Sequence, residues 1–387
     1  MIRVLLVDPS LYTAPYDAAL SAGLAANGVA PRWAVRDLRP GEEGDIPEAE
    51  VAMHFYRLTD GRRRRSGKAW KLVKGVEHAI DLRRMERLIA REAYDVVHFQ
   101  WAALPRLDVA AIRRIARGRP VVFTVHDTTP LNGADVSQAQ VQGYDMLFTA
   151  AQRLIVHTQG ARDALIARGV DAARIAVVAH GPIALRLAPR PDPDKPADRW
   201  RVVLFGRLQA YKGVDVLVEA LGLLPAETRA RLNVVVAGDP LMNMAPILAR
   251  AEALGLHAPT LTFRLGRLDD RAMSDLLGSA DAFVFPYRAI EASGVLFLVA
   301  GFRKWMIASR LGAFVDAIGS AEGSGALVEP GDAAALAAAL ADGIGRAPCA
   351  TGMDWAPEWS TIGRQTADLY QQLVASHCRQ GIAHDVR

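Results

Sequence analysis

The chain has 387 residues, 51% hydrophobic and 23% charged, with 46 lysines and arginines against 42 acidic residues and a net charge of +4. That balance excludes a disordered or fibrous protein, and the length predicts about two domains. Only Cys349 and Cys378 are present, which excludes a disulfide framework or a cysteine-based zinc site and fits a reducing cytoplasm.

The chain begins on the apolar run Ile2 to Val7, followed by Asp8, and carries no charged leader or small-residue cleavage site, so no export is expected. Seven of the thirteen residues from Arg62 to Lys74 are basic, interleaved with Trp70, Leu72 and Val73. Such a cluster suits either a solvated face or an anionic membrane surface. No nucleic-acid module accompanies it, and no nucleic-acid partner is expected. The longest apolar run, Val295 to Phe302, is far short of the ~18 residues that a membrane span needs.

Further β-branched runs follow at Val96 to Phe99, Val121 to Val125, Leu154 to His157 and Ile175 to Ala179. They read as buried parallel strands. After the Pro-rich segment Pro189 to Pro196 the pattern restarts, with Val202 to Phe205, Leu232 to Ala237, Leu261 to Leu265, Ala282 to Phe285 and Met306 to Ala308. Strands alternating with helices in each half predict two doubly wound, Rossmann-like α/β domains facing across a cleft. The expected boundaries are 1–186 and 200–350, with a linker at 187–199 that is also the hinge candidate.

Ligands of open parallel sheets bind beyond the carboxyl ends of the strands. After Val202 to Phe205 stands Gly206-Arg207-Leu208-Gln209-Ala210-Tyr211-Lys212-Gly213, then a helical pattern. A glycine admits close backbone approach, and Arg207 and Lys212 on a loop entering a helix N-terminus can neutralise a diphosphate from two sides. Thr124-Val125-His126-Asp127 closes a strand of the first half and places an imidazole and a carboxylate at its end. The carboxylates Asp192 and Asp194 lie between prolines and are not expected to hold a metal. His180 with Gly181 and Pro182 is read equally as structural or functional. His54, His78, His98 and His157 show no metal-ligand spacing and are read as satisfied polar residues.

The Gly206-Arg207 and Lys212-Gly213 pairs resemble glycosyltransferase family 4. The resemblance continues through Val234 to Gly238, Leu265 to Arg267, Ala280 to Tyr287, Glu291 to Gly294 and Gly331 to Asp332. It implies the GT-B fold, a retaining transfer from a nucleotide-sugar donor to a glycan or lipid-linked acceptor, no metal or other cofactor, and a place in surface polysaccharide or glycolipid synthesis. It also implies that residues 351–387 form a terminal helix returning to the first domain. By resemblance, Arg207 and Lys212 grip the donor pyrophosphate, with Gly206, Gly266 and Arg267 beside it. Glu291 holds donor-sugar hydroxyls, and Ala292, Ser293, Gly294 and Val295 present backbone amides to the phosphates. His126 contacts the donor sugar or phosphate, and Asp127 lies nearer the acceptor.

Two departures stand out. The second glutamate of the family pattern, a ribose ligand, is Val299 here, and a valine offers no hydrogen bond. The family's glycine pair in the first loop is replaced by Pro9 to Thr13, whose Ser10 and Tyr12 hydroxyls are the acceptor-side candidates. Val299 keeps open a catalytically weakened homologue that binds sugar nucleotide or glycan without turnover. A nucleotide-sugar epimerase of similar fold would form product without an acceptor. A dinucleotide oxidoreductase is disfavoured, since no Gly-x-Gly-x-x-Gly follows either first strand.

Overall fold

The computed structural model describes the chain except residues 40, 41, 43, 61–66, 130–137, 291–292, 320–324, 347–355 and 386–387. The described residues divide into two compact units, one combining Met1–Leu131, Asp135–Gly181 and Glu358–Arg387, the other centred on Pro182–Pro357.

The first unit carries β1 (Ile2–Asp8), β2 (Val29–Arg36), β3 (Val51–Phe55), β4 (Val96–Phe99), β5 (Val121–Val125), β6 (Arg153–Val156) and β7 (Ile175–Val177). They form one parallel sheet in the order β3-β2-β1-β4-β5-β6-β7. The order reverses between β1 and β4, the switch point where such sheets bind ligands. Helices cross between the strands, among them α1 (Ala14–Ala26) and α2 (Lys68–Arg91).

β2 was not expected, because Pro31 and Arg32 interrupt its apolar run. The register explains why the strand tolerates a proline. Pro31 faces Val4 of β1, whereas β3 begins pairing only at Trp33. The missing N–H of Pro31 therefore falls beyond the end of the neighbouring strand and costs no ladder bond.

The second unit carries β8 (Trp200–Phe205), β9 (Leu232–Gly238), β10 (Leu261–Leu265), β11 (Ala282–Phe285), β12 (Trp305–Ser309) and β13 (Gly325–Val328), parallel in the order β10-β9-β8-β11-β12-β13. Alternate residues feed opposite faces. Val202, Leu204, Val234 and Val236 join one apolar cluster, while Val203, Val235, Phe283 and Phe285 join another. Helices cover both faces, so the strands read as unbroken apolar runs.

Residues 187–199, expected as a linker, are fastened to the second unit. Arg190 N–H donates to Asp275 at 2.8 Å, Lys195 pairs with Asp281 at 2.7 Å, and Asp192 pairs with the buried Arg201 at 2.6 Å. Arg264 bridges Asp192 and Asp194, 3.1 Å from each. The two carboxylates are thus held by guanidinium groups.

The terminal helix Trp359–Asp385 belongs to the first unit and lies on α1. Gly23 and Gly363 face each other there. A β-carbon on Gly363 would strike the backbone of Gly23, and one on Gly23 would strike the carbonyl of Trp359. Lacking side chains at both positions, the two helices meet backbone to backbone.

Candidate active site

In the second unit the ends of β8, β9 and β10 carry Gly206, Gly238 and Gly266, with φ of 114°, 136° and 119°. Gly206 N–H donates to Ala237 and Gly266 N–H to Gly238, both at 3.0 Å, lacing the three ends together. Beyond Gly206 the side chain of Leu208 is fully buried, and its backbone pairs with Asp239 at 2.8 Å and Leu241 at 2.9 Å. This anchor leaves Arg207 exposed and turns Lys212 inward. Gly213 then starts the helix Val214–Leu223 at φ 66°, where any side chain would collide with the Pro286 carbonyl oxygen.

Lys212 is 4% exposed. Its Nζ donates to the Phe205 carbonyl at 3.2 Å and lies 5.2 Å from the centre of the Tyr287 ring. A β-carbon on Gly206 would stand 2.7 Å from that ammonium and 2.9 Å from Val295 Cγ2, so Lys212, Gly206 and Val295 border one small space. Burial, and then the neighbouring Arg207 charge, push the Lys212 pKa down to about 7. Among the described residues no carboxylate pairs with it. A buried ammonium without a counter-charge is poorly solvated, and an arriving anion relieves that penalty. Arg207 and Arg267 likewise have no ion-pair partner among the described residues, and both are exposed.

Ser293 is buried, and its Oγ accepts from Leu296 N–H at 3.4 Å, capping the helix Gly294–Ala300. Its side chain is therefore committed to the fold. Gly294 is exposed, and a β-carbon there would meet nothing within 4 Å. Glu291 and Ala292 lie outside the described residues. Val299 is 2% exposed and packs in the same apolar cluster as Phe283, Leu296 and Phe314. The missing ribose ligand is thus a core residue here, not an open gap in the site.

In the first unit Asp8, at the end of β1, is buried and shapes the following loop by accepting from Ser10 N–H at 3.1 Å and Thr13 N–H at 3.4 Å. Ser10 is half-buried, and its carbonyl accepts from Arg36 at 3.0 Å. Burial raises the carboxyl pKa values of Asp8 and Asp17, and the Asp8 charge raises Asp17 further. Tyr12 is 45% exposed, with its ring centre 5.2 Å from that of Trp101. Trp101 donates to Thr13 Oγ1 at 2.9 Å and stacks on His126 with centres 4.9 Å apart and planes 8° from parallel.

The protonation of His126 follows from its neighbours. His157 Nδ1 lies 3.0 Å from the Val178 carbonyl, which only accepts, so that nitrogen carries hydrogen. Burial holds the His157 pKa down at about 4, so the ring is neutral and its Nε2 offers a lone pair. That Nε2 is 3.2 Å from His126 Nδ1, which must donate. Burial, followed by the charges of the neighbouring histidines, also keeps His126 neutral, leaving its Nε2 a lone-pair acceptor that is shielded from solvent and has no hydrogen-bond partner among the described residues. A neutral imidazole presenting a lone pair can accept from a hydroxyl, whereas it carries no charge to neutralise a phosphate. Asp127 is half-buried, and its carbonyl accepts from the Tyr144 hydroxyl at 2.7 Å.

Two family models match the chain. The one described as Glycosyltransferase Family 4 covers residues 18–182, and the one described as Glycosyl transferases group 1 covers residues 188–344. Between them, the two models match both halves of the chain as glycosyltransferase domains. A D-inositol 3-phosphate glycosyltransferase of Kineococcus radiotolerans is 29% identical over 211 residues, 42% of this chain and 46% of that protein. The chain spans about half the length of the curated relatives it matches. Among solved structures, a sucrose-phosphate synthase from Thermosynechococcus elongatus aligns with a TM-score of 0.70 and 20% identity, over 97% of this chain and all of that one. Anabaena HepE in complex with UDP and glucose aligns with a TM-score of 0.62 and 19% identity, over 100% of this chain and 99% of that one. These two likenesses establish the fold, which is GT-B.

Within the second unit, Gly206, Lys212 and Val295 are brought together, Arg207 flanks them, and Gly266 is bonded into the same row of strand ends. Sequence reasoning missed Trp101, Tyr16 and the part played by His157. Tyr16 is 3% exposed, and its ring contacts those of His126, His157, His180 and Trp359 at centre distances from 4.8 to 5.4 Å.

Proposed function

We propose that the chain is a retaining, metal-independent hexosyltransferase that carries a sugar from a nucleotide-sugar donor to a glycan or lipid-linked acceptor, in surface polysaccharide or glycolipid synthesis. The observation that carries the reading is the buried, unneutralised ammonium of Lys212 at the end of β8 with Arg207 beside it. Two fixed cations there stabilise the charge that grows on a departing nucleoside diphosphate. HepE, with the same fold, was solved with UDP and glucose, which favours a UDP-sugar donor.

In this reading His126 Nε2 accepts from a hydroxyl of the sugar, and Glu291 holds others. Amides of residues 293–295 face the phosphates. The acceptor hydroxyl attacks from the face that the diphosphate leaves, and the leaving phosphate takes its proton, which preserves the anomeric configuration. Asp127, Ser10 and Tyr12 stand on the acceptor side.

Among the described residues no helix is long and apolar enough to cross a membrane. The basic cluster is divided: Arg62, Arg63, Arg64 and Arg65 lie outside the described residues, and so does the Lys68 side chain. Lys74 is spent within the fold, pairing with Asp60 at 2.7 Å. The face that α2 exposes is nonetheless apolar and basic, with Leu72, Val76 and Ile80 exposed by 72%, 56% and 55% in one stripe beside Lys71, Arg83 and Arg87. We therefore place the enzyme in the cytoplasm, resting on the inner membrane face through α2.

The deciding experiment is a screen of UDP-, GDP- and ADP-sugars with EDTA present, following diphosphate release and thermal shift, with Arg207→Ala as control. Release that depends on Arg207 and persists in EDTA supports the proposal. The buried Val299 favours a second reading, a homologue that binds donor without turnover. Stabilisation by UDP-sugar with no release, even with acceptor extract, would establish that reading.

A further inference from the structure

A second cationic site lies on the first unit, between the edge strand β3 and the carboxyl-terminal half of α2. A cleft of about 320 Å³ is lined by Ala52, His54, Arg57, Arg84, Arg87 and Arg91, among others. Nearby acids are already taken. His54 lies 2.6 Å from Asp37 and 3.3 Å from Glu48. Asp81 pairs with Arg84 at 3.0 Å and accepts the Tyr56 N–H at 2.9 Å. Among the described residues, Arg57, Arg87 and Arg91 have no carboxylate or carbonyl partner, and no acid lines the cleft.

Four guanidinium groups around one cavity exceed what a single carboxylate can neutralise. Their planar forks match the oxygens of a phosphate, which accepts bidentate bonds from more than one arginine. Ala52 and Leu88 give the cleft an apolar wall. Along the same helix the cleft adjoins the exposed Ile80.

We infer that Arg57, Arg84, Arg87 and Arg91 form a phosphate-binding cleft, separate from the donor site, that takes the phosphate of a lipid headgroup or of a free phosphorylated molecule. The cleft stands independently of the transferase reading, and only its lipid source rests on α2 facing a membrane.

The test is titration with inorganic phosphate at low ionic strength, in Lys212→Met so that the donor site does not contribute, with and without Arg87→Gln/Arg91→Gln. Both substituted arginines are exposed, so the fold should survive, and an unchanged melting profile checks it. The expected result is saturable binding that weakens at least ~10-fold in the Arg87→Gln/Arg91→Gln protein. No saturable binding, or equal binding in both proteins, overturns the site. Flotation with phosphatidylglycerol against phosphatidylcholine vesicles then separates the sources. Loss of phosphatidylglycerol binding along with phosphate binding assigns a lipid headgroup, and loss of phosphate binding alone assigns a free phosphate. Failure of the transferase proposal would register elsewhere, as absence of UDP binding by the unsubstituted protein.

Discussion

Lys212 Nζ stands 3.2 Å from the Phe205 carbonyl oxygen, and no described carboxylate answers its charge. Its pKa, about 7, makes donor binding dependent on pH. Only the ammonium form attracts a diphosphate, so UDP affinity should fall by about tenfold per pH unit above 7, up to the pKa of the bound state. Calorimetry at pH 6.5, 7.5 and 8.5 checks this, and a flat profile contradicts it.

The same group has a stability consequence. Its folded pKa lies below the unfolded value of 10.5. The unfolded chain therefore binds more protons between pH 7 and 10.5, and this lysine's penalty on folding shrinks as pH rises through that window. Lys212→Met should raise the melting temperature at pH 7, with the gain fading towards pH 10, while weakening UDP binding roughly 10- to 150-fold. A variant that melts lower at pH 7 would contradict the buried-charge account.

The hydrogen-bond chain Val178 to His157 to His126 fixes one tautomer. Nitrogen-15 spectra should find His126 protonated at Nδ1 and bare at Nε2. His157→Leu removes the acceptor for His126 Nδ1–H and should destabilise the protein by about 1–3 kcal/mol. It should also weaken binding of the UDP-sugar while sparing UDP. Equal losses for UDP and UDP-sugar would mean that His126 does not read the sugar.

Restoring the family's glutamate should fail. Val299→Glu puts a carboxyl into the cluster of Phe283, Leu296 and Phe314, at a cost on the order of 2–5 kcal/mol. Thermal melts would detect it. An unchanged melting temperature together with tighter UDP binding would indicate that position 299 reaches the ribose.

Asp192→Asn leaves the buried Arg201 without its carboxylate and should cost about 3–5 kcal/mol. EDTA should leave the unsubstituted protein's melting temperature unaltered. If EDTA reproduces the effect of the substitution, Asp192 holds a metal instead.

The strands that read clearly in sequence are those buried on both faces, because Val121–Val125 and Ala282–Phe285 are buried at every position and apolar at all but Thr124. β2 escaped because its proline is legal only in a register that pairing with β3 decides. β13 escaped because a four-residue edge strand, Gly325–Val328, leaves too little pattern. The proposed donor loop could be picked out in the sequence since Gly206 through Gly213 is contiguous. His126 and His157, 31 residues apart, were not legible as a pair, because β5 and β6 bring their ends together only in the folded sheet. Trp101 likewise reaches Thr13 from a different strand end.

The return of Trp359–Asp385 to α1 orders events at the ribosome. Residues 182–357 are continuous and can condense as soon as they emerge. The earlier-made unit must wait with the groove over Gly23 uncovered until its last helix arrives, so the half of the protein translated first is the half completed last.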